Sequence, residues 1–347
     1  MKKFDVTVVG GGPAGSIAAC TLAALGRQVL VIDQPKVLTA GRKVGESLPS
    51  AARPLLRHLG LLDVVENGPH LSSFGNHSAW GSPRISSQDF IRDPHGLGWH
   101  LDRVRFDADL RTAAVSRGVE FREQKITDFD ALEYTFLIDA SGRAAALARH
   151  FGAERRRDDQ LMAVFLWVQP NAQDRDTRTL LESTRDGWWY TARLMDQSRI
   201  VVFHTDRDKV AGLLRSQLMW KSELDRTIHI REVIDGAKVL SELYCTEASG
   251  ARLDTFTGPN WIAAGDAALS FDPLSSQGLF NAIYTGMKAA EAAHARLSGE
   301  VDALAGYAQR LEQIRRVYLA RRQVYYAAEQ RWVNAPFWNQ RIFVTGS

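Results

Sequence analysis

Residues 4–33 read FDVTVVGGGPAGSIAACTLAALGRQVLVID, and this stretch decides the first half of the fold. Phe4 to Val9 is a short run rich in β-branched residues, GGGPAGS at 10–16 is a turn, and apolar residues then recur at helical spacing through Leu25. Gly26 stops the helix, and Gln28 to Asp33 reads as a second buried strand ending in an acid. One βαβ unit is complete by residue 33. Within it Gly10, Gly12 and Gly15 form GxGxxG: the first permits the tight turn, the second lets a diphosphate approach the backbone, and the third lets helix and strand pack closely. The helix that starts at Pro13 offers the unpaired N–H groups of the residues from Ala14 onward and its positive dipole end to such a group. Asp33, 23 residues after Gly10, can accept hydrogen bonds from both hydroxyls of a ribose, and its charge repels a 2′-phosphate. The unit predicts a dinucleotide site.

The whole chain has 347 residues, enough for a large nucleotide-binding domain and a second lobe. Hydrophobic residues at 45% and charged residues at 24% describe a chain that folds throughout. The net charge is only +3 with basic and acidic residues interspersed, which excludes a nucleic-acid footprint. Arg155-Arg156-Arg157, followed by Asp158-Asp159, reads as a solvated loop. Cys20 and Cys245 stand alone, without CxxC or histidine at metal spacing, so neither disulfides nor zinc are expected and a reduced cytoplasm fits. Met1-Lys2-Lys3 runs straight into a strand pattern, and no apolar run reaches the ~18 residues of a membrane span, so neither a signal peptide nor a span is expected.

Further along, Pro and Gly cluster between residues 68 and 98 as in an irregular excursion, 101–119 is helical, and Tyr134 to Asp139 is another strand. From 161 to 206 the texture becomes extended: Leu161 to Gln169, Thr179 to Ser183, Trp188 to Leu194 and Arg199 to Thr205 are separated by turns such as Thr184-Arg185-Asp186-Gly187. This predicts an antiparallel sheet. Trp261 to Gly265 is a buried strand, and helix-forming composition dominates from Leu279 onward, broken at Pro336. The expected architecture is α/β: a discontinuous Rossmann-like domain over 1–70, 98–160 and 245–295, an antiparallel substrate domain over 71–97 and 161–244, and a C-terminal helical segment over 296–347.

A second signal separates FAD from NAD. The run GDAALSFDPLSSQGLFN at 265–281 places a strand end, an acid and a Gly-containing turn before another helix. Asp266 can meet a ribityl chain or diphosphate, while N–H groups near Gln277, Gly278 and Leu279 can face flavin N1 and O2 and stabilise the negative charge of a reduced flavin. The alternative is a plain capped helix start.

With these motifs in order, GGGPAGS, GES at 45–47, LDRVRFDADL at 101–110, IDASGR at 138–143 and GDAA with DPLSSQG, the chain resembles the para-hydroxybenzoate hydroxylase superfamily, which includes flavin-dependent halogenases and geranylgeranyl reductases. The resemblance implies FAD contacts at Glu46, Ser47 and Arg103, a nucleotide-side loop at Asp139 to Gly142 that includes Ala140, and Pro273 beside the isoalloxazine ring. For Arg103 the alternative is an ion pair with Asp107 at i+4. Halogenases of this group carry a lysine downstream of the GE motif and a WxWxIP motif. Here no lysine occurs between Val44 and Gln124, and residues 187–193 read GWWYTAR. GWWYTA, DPLSSQGLFNAIYTG and YYAAEQRWVNAPFW are similar to the maturation flavoproteins of tryptophylquinone-containing amine and amino-acid oxidases.

The resemblance implies a monooxygenase that hydroxylates an aromatic, tryptophan-type substrate, with a precursor oxidase bearing the target tryptophan as partner. Trp188, Trp189 and Tyr190 alternate along a strand, so at most one face meets a ligand; core filling is the default and an aromatic pocket at Trp188 and Tyr190 the alternative. Glu46 and His100 are the acid–base candidates, with pure cofactor contact the alternative for Glu46. His70 and His77, like His100, are isolated and are not expected to attach flavin covalently. A single strand-linked GxGxxG leaves NAD(P)H docking transiently, or a separate reductase, as electron donor. The rival readings are a halogenase, an alkene-reducing saturase and a flavoprotein scaffold for a partner oxidase.

Overall fold

The computed structural model describes residues 4–34, 42–132 and 134–343. Among them, six strands form the first sheet, in the order Thr257–Gly258, Trp261–Ala263, Phe136–Asp139, Val6–Val9, Val29–Asp33, Glu120–Glu123. All neighbours are parallel except the edge pair Thr257–Gly258 with Trp261–Ala263. Val6, Val8 and Val31 are fully buried, as expected for strands covered on both faces. The helix Pro13–Ala24 begins with proline at its first position, where a missing N–H costs nothing. It packs against the long helix Gly278–Leu297, and the approach is so close that a Cβ at Gly286 would lie 2.4 Å from the Ala14 carbonyl oxygen.

Eight strands make the second sheet among the described residues, with Leu161–Gln169, Arg199–Asp206, Gly187–Arg193 and Thr179–Thr184 as its consecutive centre. The expected strand runs therefore form, within a residue or so at their ends. One pairing departs from the antiparallel expectation: Gly75–Ala79 lies parallel to Thr179–Thr184. That strand arrives from the Pro- and Gly-rich excursion, so no hairpin forces an antiparallel entry. The excursion also supplies Ser86–Asp89 to this sheet.

Two expectations are corrected. Arg155–Arg157 is not a solvated loop but a strand paired with Ala251–Leu253. Arg155 and Arg157 both reach Glu247, at 2.7 and 2.8 Å, while Asp158 and Asp159 are buried by arginines of the C-terminal helices. The run is a pairing device rather than a hydrated one because each charge has a distant partner. Pro336, expected to break a helix, instead opens one: Ala303–Ala327 has already ended, and Pro336–Ile342 starts with proline at its first position.

The tail is fastened to the second sheet by Glu329. Its Oε2 accepts the Gly81 N–H at 2.9 Å, the Ser183 hydroxyl at 2.7 Å and Arg331 Nη2 at 2.6 Å. Burial works to raise its pKa, but the Arg331 and Ser183 side chains and the Arg331 and Gly81 amides outweigh it and hold the carboxyl below its ordinary range. Stability from this group is therefore complete above the unfolded value of 4.5 and lost as pH falls through the lower folded value. Glu329→Gln is expected to cost about 2–3 kcal/mol and to flatten the acid limb of the urea-unfolding stability profile; an unchanged profile would remove Glu329 from this role.

Candidate functional site

The dinucleotide turn, the Gly278 helix start and one face of the second sheet enclose a cavity of about 730 Å³, within the usual range for ligand sites. At one end lie Gly10, Gly12, Pro13, Ala14 and Asp33. The turn requires its glycines: Gly10 has φ +105°, and a Cβ there would sit 2.3 Å from the Ala140 carbonyl oxygen. Gly15 does not line the cavity; a Cβ on it would lie 1.9 Å from the Gly10 carbonyl oxygen, so it sets the helix-to-strand distance. Helix geometry leaves the Ala14 and Gly15 amides without intrahelical acceptors, while Ser16 N–H already bonds Gly12 at 2.9 Å.

The middle is built from Ser47, Arg103, Ala140, Asp266, Pro273, Gly278 and Leu279, all of which line the cavity. Arg103 makes the i+4 ion pair and also lines the cavity. Nη2 is 3.3 Å from Asp107 at i+4, and Nη1 donates to the Gly45 carbonyl at 2.7 Å, yet the side chain is largely buried. Its ion pair is an interior one. Asp266 meets Arg143 Nε at 3.4 Å. The Gly278 and Leu279 amides open the helix without intrahelical acceptors.

Besides Gly15, three sequence-predicted residues fall elsewhere. Gln277 lines a separate cavity, and its N–H donates to Ser275 Oγ at 3.3 Å, so this amide is already engaged. Asp139 turns inward: it accepts from the Ser141 N–H and hydroxyl and from the Ala148 N–H, and burial raises its pKa. His100 is absent from the cavity wall. It is buried, its Nδ1–H donates to the Arg193 carbonyl at 3.0 Å, and burial lowers its pKa. A ring held in this way is a packing element, not an acid–base group facing ligand.

At the far end, Trp188 and Tyr190 share one sheet face with Ala163, Phe165, Ile200, Val202 and His204. The register explains this, for Trp188 pairs with His204 and Tyr190 with Val202. Trp189, on the opposite face, stacks on Phe203 at 4.6 Å in a separate core. The Tyr190 hydroxyl donates to Glu46 Oε1, whose other oxygen accepts the Gly45 N–H at 3.1 Å. Burial and the Glu46 charge keep the phenol protonated far beyond neutral pH. Trp188 stacks on His204 with centroids 3.6 Å apart and planes 12° apart. Burial lowers the His204 pKa to about 3.

Comparison with known proteins fixes the chemistry class. Residues 3–136 match the FAD binding domain family. Over 98% of its length, and 97% of the relative's, the chain is 30% identical to a putative FAD-dependent oxidoreductase, LodB, of Marinomonas mediterranea. This protein belongs to the FAD-dependent hydroxylase and halogenase superfamily. A tryptophan 2-halogenase of Chondromyces crocatus is 27% identical over 87% of the chain, which spans 63% of that relative's length. Among solved structures, the peptidyl tryptophan dihydroxylase QhpG aligns with TM-score 0.79 and 25% identity, over 98% of this chain and 79% of that one. The flavin-dependent halogenase CmlS shares the fold at TM-score 0.88 and 24% identity, over 100% and 68%.

The residues present suit the cofactor of this superfamily: a glycine cradle that a Cβ would fill, free amides at two helix starts, and a carboxylate at the end of the second strand. Sequence reasoning missed His204, Phe165, Asp272 and Arg143 as wall residues. The i, i+2 spacing of Ala163 with Phe165, and of Ile200, Val202 and His204, is a readable signal, and Asp272 and Arg143 stand inside the motifs DPLSSQG and IDASGR. Among the described residues there is no cluster of three metal-ligating side chains and no helix long and apolar enough to cross a membrane.

Gly10→Ala places a side chain on a carbonyl and forces an L residue to positive φ, a strain of about 1–3 kcal/mol. The purified variant should lose most bound FAD, seen as a fall in the ratio of flavin to protein absorbance; full retention would refute the cradle. His204 should stay neutral, its NMR ring-proton shifts flat between pH 5 and 8. Because the unfolded histidine takes up protons below 6.5, the folded state should lose stability as pH drops from there toward 3.

Proposed function

We propose that this flavoprotein is a monooxygenase that hydroxylates an electron-rich aromatic ring, namely a tryptophan side chain carried by a partner polypeptide. The observation that carries this reading is the apolar and aromatic far end of the cavity, where the Glu46 and Tyr190 pair stands beside a neutral His204, continuous with the dinucleotide cradle. The likeness to a peptidyl tryptophan dihydroxylase supports the substrate class.

In this reading Gly10, Gly12, Pro13 and Ala14 hold the diphosphate, Asp33 the ribose, and Glu46, Ser47, Arg103, Ala140, Asp266, Pro273, Gly278 and Leu279 the rest of FAD, while Gly15 keeps the cradle closed. FAD, once reduced by NAD(P)H or a separate reductase, supplies the electrons with which O₂ is activated. The balance is ring C–H plus O₂, two electrons and two protons giving ring C–OH and water. The wall made by Phe165, Trp188, Ile200 and Val202 orients the ring and excludes bulk water. The Glu46 carboxylate accepts the proton that the hydroxylated carbon must shed, and the Tyr190 hydroxyl holds that carboxylate in place.

Halogenation is the rival that the tryptophan 2-halogenase relative favours. Against it, the stretch from Val44 to Gln124 has no lysine, and Lys43, which does line the cavity, is paired with Asp107 at 2.7 Å.

The decisive experiment incubates the FAD-loaded protein, a reductant and air with a tryptophan-bearing peptide, with and without bromide, and reads product masses. Gain of one or two oxygen atoms in both conditions is expected; a brominated product would overturn the proposal. Glu46→Gln should lower kcat roughly 10²-fold with little change in KM.

A further inference from the structure

The helix Ala303–Ala327 carries Tyr318, Arg322 and Tyr326 at four-residue spacing, which puts them on one stripe. All three converge on Asp272. The Asp272 N–H donates to the Tyr318 oxygen at 2.9 Å, and Arg322 Nε and the Tyr326 hydroxyl donate to Oδ2 at 3.3 and 2.8 Å. The other carboxylate oxygen accepts the Leu274 N–H at 2.9 Å and so caps the turn Pro273–Ser275. Tyr326 has a second bond on the opposite side, for its oxygen accepts the Trp188 indole N–H at 3.3 Å.

These contacts join two parts of the cavity wall that share no strand or helix. Asp272 and Pro273 belong to the turn before the Gly278 helix, and Trp188 with His204 to the second sheet. Tyr326 lies behind both, fully buried and outside the wall itself. Its hydroxyl has one proton, given to Asp272, and lone pairs that receive the Trp188 proton. Both bonds are satisfied together only when the turn and the indole hold one mutual placement.

We propose that Tyr326 is a positioning residue that couples the cofactor end of the cavity to its aromatic end, so that FAD and an indole-type ligand bind cooperatively through one phenol. The indole half rests on the function proposed above; the cofactor half does not. Occupation of the FAD end fixes the Asp272–Ser276 turn, the turn fixes Tyr326, and Tyr326 fixes the Trp188 wall. Linkage makes the coupling reciprocal.

The test uses the full chain stripped of FAD, as wild type, Tyr326→Phe, Asp272→Asn and Trp188→Phe. FAD dissociation constants come from flavin fluorescence, and N-acetyl-tryptophanamide is titrated with and without FAD. In wild type, FAD should tighten probe binding. Tyr326→Phe should weaken FAD about three- to tenfold and abolish the linkage, as expected when a hydrogen bond that acts on the cofactor only through the turn is lost. Trp188→Phe should weaken the probe and leave FAD affinity within twofold. A merely structural tyrosine would lower the melting temperature and leave the linkage intact, which overturns the proposal, as does unchanged FAD affinity in both Tyr326→Phe and Asp272→Asn. Should Tyr326→Phe fail to fold, Asp272→Asn breaks the same Oδ2 contact and decides alone. Absence of probe binding by wild type would sink the aromatic-substrate reading, and FAD affinity would then judge the clamp by itself.

Discussion

Everything in the cofactor half rests on a backbone approach that a single methyl group would prevent. Gly15 sits where a Cβ would come within 1.9 Å of the Gly10 carbonyl oxygen, and Gly10 is itself pressed against Ala140. The first turn and the helix start that follows it therefore meet the strand end at Asp139–Ala140, distant in sequence, at van der Waals distance. The same logic recurs at Gly286, whose bare Cα lets the Gly278–Leu297 helix lie against Ala14. Close contact brings two helix starts to one cavity, and their unpaired amides make its floor receptive to anionic groups. Bulkier residues would still permit a parallel sheet but would leave those amides spread over a wider, wetter groove.

The aromatic end obeys a different constraint, the two-residue period of a strand. With Trp188 paired to His204 and Tyr190 to Val202, the cavity-facing set is fixed by register, and Trp189 has no choice but the opposite core. A slip by one residue would exchange the two faces and place Trp189 beside the cofactor half. The stacking of Trp188 on a neutral His204 strengthens the register, since a charged imidazolium in that position would be both desolvated and unpaired.

These two constraints were legible in the sequence because both are local. GxGxxG between strand and helix, an acid at the next strand end, and alternation in GWWYTAR each announce themselves within a few residues. Two of the misreadings, at Arg155–Arg157 and at His100, are long-range, and the one at Gln277 is a matter of local turn geometry. Arg155–Arg157 looks hydrated because its carboxylate, Glu247, lies about ninety residues away. His100 looked available because nothing nearby in sequence predicts that its ring would be spent on the Arg193 carbonyl. Gln277 stands next to two residues that do line the cavity, and only the turn geometry at Ser275 diverts its amide.

The tail illustrates why such partners resist prediction. Asp159 meets both Arg322 and Arg341, and Arg341 continues to Asp206 at 2.7 Å, so four largely buried charges join four separate segments. An apolar set of equal volume could hold these segments together, often as firmly, but it would tolerate sliding of a helix by a turn. Charged pairs do not, because a displaced helix leaves a carboxylate or guanidinium buried without a partner. The arrangement that binds the C-terminal helices to the sheet is thus also the one that fixes where Tyr326 stands, and through it the spacing between the Asp272 turn and the Trp188 wall.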